Sequence, residues 1–156
     1  MAQEILVTGT GELFSKTSKN PLELYKTFKG IRQFIKLEQA FIKQLKECSE
    51  TFDGQNSYLL REKMKVSSEA LLDCQPDKIS LRLTEEGSVF YSLIKDEIKI
   101  YFQHFLIDEF DENDEAIISI INGNDNVINY AGELTEVINQ LGNFLASKNI
   151  AVRQFA

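Results

Sequence analysis

The chain has 156 residues, of which 43% are hydrophobic and 26% charged, and its formal net charge is −7. This length predicts one domain, residues 1–156, with a core that needs no disulfide or metal, and the composition is that of an ordinary globular protein, so disorder is not the expected state. Residues 1–66 carry 11 basic and 8 acidic side chains, whereas residues 67–156 carry 6 and 16. The acidic part repels nucleic-acid phosphates, so nucleic acid is not an expected partner and a basic protein is.

The opening MAQEILVTGTGELF lacks a basic region ahead of an apolar core, so a secretory signal is not expected. No apolar run approaches the roughly 20 residues of a membrane helix, and no membrane partner is expected. Cys48 and Cys74 are the only cysteines. They are expected as reduced thiols packed as small hydrophobes, which points to a cytoplasmic location.

Glu4–Thr8 has the composition of a short strand. The Thr8-Gly9-Thr10-Gly11 segment after it resembles the strand-plus-glycine opening of Rossmann dehydrogenases and epimerases. The dinucleotide fingerprint needs a third glycine where this chain has Phe14, and a helix where it has the polar Ser15–Asn20. No strand–helix alternation follows, so the segment reads as a glycine turn and no cofactor is expected.

Asn20-Pro21-Leu22-Glu23 combines a capping residue, a proline at the first helical position and a capping-box acid. Apolar residues then recur at helical steps from Leu24 to Cys48, predicting one amphipathic helix to about Ser49 with Gly30 as a candidate bend. Its other face carries Lys29, Lys36 and Lys43, with Lys26, Arg32 and Lys46 nearby. Contact with nucleic acid or with an acidic membrane surface is one reading of this stripe. A solvated helix face is the stronger one, because Glu38 and Glu47 interrupt it and no aromatic partner accompanies it.

Gly54 stops that helix. Ser57–Cys74 has a helical face of Leu60, Met64, Leu71 and Cys74. Ser67-Ser68 could divide it in two, with Ser68 capping the second piece, and Gln75-Pro76-Asp77 ends it. Together these segments make a helical part over residues 20–75.

The organising stretch is the sheet over residues 78–131. Ile79, Leu81 and Leu83 alternate with polar residues, the period of a half-buried strand. Glu85-Glu86-Gly87 is a hairpin turn with glycine placed for positive φ. Val89–Ile94 returns, Lys95-Asp96-Glu97 turns again, and Ile98–Ile107 is the longest strand. Its phase puts Ile98, Ile100, Phe102, His104 and Leu106 on one side, and Lys99, Tyr101, Gln103, Phe105 and Ile107 on the other. Ala116–Ile121 is nearly all apolar, as in a central strand. Asn122–Asn126 is the strongest turn signal, and Val127–Ala131 closes the meander. Leu134, Val137, Ile138, Leu141, Phe144 and Leu145 then mark a C-terminal helix over residues 133–148, and Ile150–Phe155 could add an edge strand. The fold class is therefore α+β: an antiparallel β-meander of about five strands packed against two or three helices.

Little in the chain carries catalytic chemistry. His104 is the only histidine and shares a strand face with apolar residues. A general base or a metal ligand is one reading, and a half-buried or sheet-end histidine with a hydrogen-bond partner the stronger one. No second histidine or cysteine stands at zinc-ligand spacing, so no metal is expected. Asp108, Glu109, Asp111, Glu112, Asp114 and Glu115 put six carboxylates in eight residues. The run lacks the central glycine of a calcium loop, and reads as a solvated hairpin loop first, as a docking surface for a basic protein second, and as a mimic of a phosphate backbone third.

The expected function is a small cytosolic non-enzymatic binding module, of the inhibitor, immunity or adaptor kind, docking a basic partner through its acidic surface. Candidate binding residues are Tyr101, Gln103, Phe105 and the six carboxylates. The alternative is a ligand-binding or enzymatic domain with a pocket at His104, using Tyr101 or Tyr91. A homodimer through the second sheet face is a third expectation, because Tyr101, Phe105 and Ile107 are too apolar for a wet surface.

Overall fold

The structure is a computed structural model that describes residues 21–48, 50–107 and 114–148. The strand expected at Glu4–Thr8, the glycine turn, the Asn20 cap, the edge strand expected at Ile150–Phe155 and residues 108–113 of the acidic run lie outside them. Backbone proximity divides the chain into residues 1–33 and residues 34–156. Helix α1, Pro21–Glu47, crosses that division. In the first unit the described residues, 21–33, are helical throughout, with Tyr25 and Phe28 exposed.

The second unit contains the rest of α1, helix α2 (Ser57–Leu72), strands β1 (Lys78–Leu83), β2 (Ser88–Lys95), β3 (Ile98–Phe105), β4 (Glu115–Asn122) and β5 (Asp125–Glu133), and helix α3 (Leu134–Ser147). The strands form one sheet in the order β1-β2-β3-β4-β5, each pair antiparallel. This is the expected meander, and the helices pack against it. Its turns follow local chemistry. Gly87 has φ +81° and Gly123 φ +66°, both in the left-handed region that glycine enters without steric cost. Asp96 takes φ 53° in the tight turn between β2 and β3, where a short polar side chain tolerates it.

Period-two alternation becomes burial. Leu81 and Leu83, Val89, Tyr91 and Leu93, Ile98, Ile100 and Phe102, and Ala116, Ile118 and Ile120 are all buried on one face. They pack with Leu37 and Phe41 of α1, Leu60, Met64 and Leu71 of α2, and Leu134, Val137, Leu141 and Leu145 of α3. Each fully buried large aliphatic or aromatic side chain contributes about 1.5–3 kcal/mol.

The division that the sequence leaves open at Ser67-Ser68 does not occur: Ser57–Leu72 is a single helix. Ser67 and Ser68 are buried in its interior. The Ser67 hydroxyl lies 2.7 Å and the Ser68 hydroxyl 2.9 Å from the Tyr91 hydroxyl, which also donates to the Met64 carbonyl at 3.2 Å. The pair therefore joins α2 to β2. The cap of α2 is Asn56, whose side chain accepts from the amides of Tyr58 and Leu59.

The outer edge of β1 is closed by a side chain. Gln44 of α1 donates from Nε2 to the Leu81 carbonyl at 3.1 Å and accepts the Leu83 amide at 2.8 Å. One amide group thus satisfies two backbone groups that an edge strand otherwise presents to a neighbouring chain.

Candidate functional site

His104 comes from the end of β3 and points to the helix-covered face. It is fully buried, and its Nε2 lies 3.2 Å from Oδ1 of the exposed Asp114. A carboxylate only accepts, so the tautomer that satisfies this contact carries its proton on Nε2. That leaves Nδ1 buried without a hydrogen-bond partner. Burial pushes the imidazole below its ordinary value, the Lys63 ammonium pushes the same way, and Asp114 opposes both. Lys63 donates to the Leu106 carbonyl at 3.1 Å, and the Leu134 amide at the start of α3 donates to the Asp114 carbonyl at 2.6 Å. His104 and Asp114 therefore lie where β3, β4 and two helix segments are tied together.

Tyr91 is fully buried on the same face, and its hydroxyl is pushed up to about 12 by burial, with Ser67 and Ser68 opposing. Tyr101 is on the opposite face of the sheet. His104 and Tyr101 thus cannot line one pocket, and Tyr91 meets only packed neighbours through its hydroxyl.

The opposite face presents a different chemistry. Register places its residues in rows across the strands. One row runs Ser80, Ser92, Tyr101, Ser119, Asn129, and the next runs Arg82, Phe90, Gln103, Ile117, Ala131. Phe90 stacks on Tyr101 with ring centroids 6.1 Å apart, and the Arg82 guanidinium lies 5.5 Å from the Phe90 centroid. Ser119 donates to Asn129. Gln103 donates to Ser88 at 2.8 Å and to Glu86 at 3.3 Å. Ile117 is 41% exposed and Ile94 38% exposed. A shallow hollow at one end of this face is lined by Arg82, Thr84, Glu85, Glu86, Phe90 and Gln103.

The ends of the face differ in charge. Beyond the Tyr101 row, Lys78 and Lys99 flank Ile94, and both are exposed. Beyond the Ile117 row, Glu115 lies directly opposite Glu133, with the turn acids Glu85 and Glu86 exposed at the same end. Lys78 and Lys99 make no ion pair among the described residues.

Of the expected binding residues, Tyr101, Gln103 and Phe105 are half-buried on this face. Glu115 begins β4 on the same side, whereas Asp114 turns back to His104. Asp108, Glu109, Asp111 and Glu112 lie outside the described residues. Arg82, Phe90 and Ile117 share the face but were not among the expected residues. Their strand phase was available, and the lengths of the three connections that set the register from β1 to β4 were the missing signal.

On α1, Lys26, Arg32, Lys36, Lys43 and Lys46 are exposed and Lys29 is half-buried. Among the described residues no group of three or more His, Cys, Asp or Glu is placed to hold a metal ion, and no helix is long and apolar enough to cross a membrane. Cys48 and Cys74 are free thiols, and burial pushes Cys74 up to about 12. Comparison with known proteins finds no matching family model, no matching curated protein and no matching solved structure.

Proposed function

We propose that this chain is a cytoplasmic, non-enzymatic protein-binding module of the inhibitor or adaptor kind, whose working surface is the open face of its sheet. The observation that carries this reading is the asymmetry of the two faces. One is sealed by helices, whereas the other leaves Ile117 and Ile94 substantially exposed beside a stacked Phe90–Tyr101 pair. Aromatic residues and arginine around a small apolar centre, rimmed by charge, is the composition of a recognition surface. The acidic end at Glu85, Glu86 and Glu115 favours a partner that offers cations there. A pocket enzyme is less well supported, because the one imidazole is buried and held by Asp114.

A photo-crosslinking amino acid in place of Ile117 tests this in the intact cell, with the same substitution at the exposed Asn139 of α3 as control. We expect a discrete protein adduct at position 117 and none at 139. No adduct at 117, or equal labelling at both, would overturn the reading.

A further inference from the structure

We infer that the occupant of the open face is a second copy of this chain, related by a two-fold axis that lies between the two sheets and runs across their strands. This rests on reading the face as a protein-binding surface, and it names the partner. Of the two-fold axes that lie between the sheets and put the face against itself, two keep the strands of the copies aligned. An axis along the strands lays each row on its own copy, so Lys99 meets Lys99 and the Glu115 end meets the Glu115 end. An axis across the strands reverses strand direction and keeps the strand order. It then lays the Lys78 and Lys99 end of one copy over the Glu115 and Glu133 end of the other, twice per dimer.

The charge layout selects the second arrangement, since the first brings like charges together at both ends. Lys99 stands on β3 and Glu115 on β4, so across the interface they are offset by one strand spacing, about 4.8 Å, within reach of a lysine stem. In the middle, the Tyr101 row of one copy covers the Ile117 row of the other. That removes the exposed part of Ile117 from water and brings the Phe90–Tyr101 stacks together. The basic surface that the acidic end favours is thereby supplied by the chain itself.

Four strand spacings make the face about 19 Å wide, and the six residue steps between its end rows make it about 20 Å long. That footprint is about half of the roughly 800 Å² per partner of a standard specific interface, so the dimer is a weak one that should dissociate on dilution and in salt.

Light scattering across a concentration series at low salt tests the arrangement. Wild type should pass from monomer to dimer. Lys99→Glu and Glu115→Lys, both at exposed positions, should each weaken the dimer roughly tenfold or more, because each places like charges at both ends. Mixing the two variants should restore association, as should the double variant K99E/E115K, since opposite charges then face each other again. Far-UV circular dichroism identical to wild type shows that each variant is folded. A wild type monomeric at every concentration would overturn the inference, and so would two weakened variants that stay apart when mixed. In the crosslinking experiment an adduct of twice the chain mass supports the second copy. An adduct with a different protein overturns this inference and leaves the module reading standing, whereas no adduct overturns both.

Discussion

Burying the single imidazole of the chain makes its stability contribution depend on pH. Above pH 6.5, the ordinary value, His104 is neutral whether the chain is folded or not. Below that pH the unfolded chain takes up a proton that the buried ring resists, so stability falls as pH falls. His104→Phe should remove this part of the acid sensitivity. Urea denaturation at a series of pH values should show a shallower decline for the variant, by at most about 1.4 kcal/mol per pH unit. Parallel declines would show that the ring protonates freely in the folded state. The Tyr91 hydroxyl works differently, because its neutral form joins Ser67, Ser68 and the Met64 carbonyl. Tyr91→Phe should cost about 1–3 kcal/mol, read as a lower denaturant midpoint at unchanged slope. Combined with Ser67→Ala it should be clearly non-additive, since the two groups share one bond.

Elements are held in place here by a few long-range polar contacts that short-range patterns do not announce. The five strands were legible because alternation and turn chemistry agree along residues 78–131, and α3 because its apolar period is unbroken. The serine pair leaves α2 open between one helix and two pieces, since serine competes locally for backbone hydrogen bonds. What overrides this is Tyr91, brought within reach only by packing. Gln44 likewise reads as an ordinary polar helix residue, yet it closes the edge of β1. Gln44→Ala should destabilise the fold by about 1–3 kcal/mol and leave β1 open to edge pairing, seen as faster aggregation on mild heating. Stability lost without faster aggregation would mean that the edge is protected by other means. Gly87 is a third such point. Its φ is +81°, and an added Cβ would stand 3.0 Å from the Ile107 side chain. Its carbonyl also accepts from the amides of Leu106 and Ile107, which fixes the chain as it leaves β3.

Among the described residues, the sheet has one face sealed by helices and one that no described element covers. Strand phase alone separated Tyr101, Gln103 and Phe105 from Ile100, Phe102 and His104, so the existence of two faces was legible. The composition of the open face was not. Arg82, Phe90 and Ile117 join Tyr101 only through the register of β1 through β4, and the charge difference between the ends emerges only when Lys99 and Glu115 are placed on that register. The partnership of His104 with Asp114 was also hidden, because the acidic run reads as uniformly solvated until β4 is aligned beside β3.

The claim that the open face is the working surface is tested most directly by oxidative footprinting, comparing labelling inside cells with labelling of the purified protein at high dilution. Phe90, Tyr101 and Ile117 should be labelled much less in cells than in the dilute protein, while the exposed Tyr58 and Leu59 at the start of α2 are labelled equally in both. Equal labelling of the sheet residues in the two settings would mean that nothing covers this face, and would contradict the assignment.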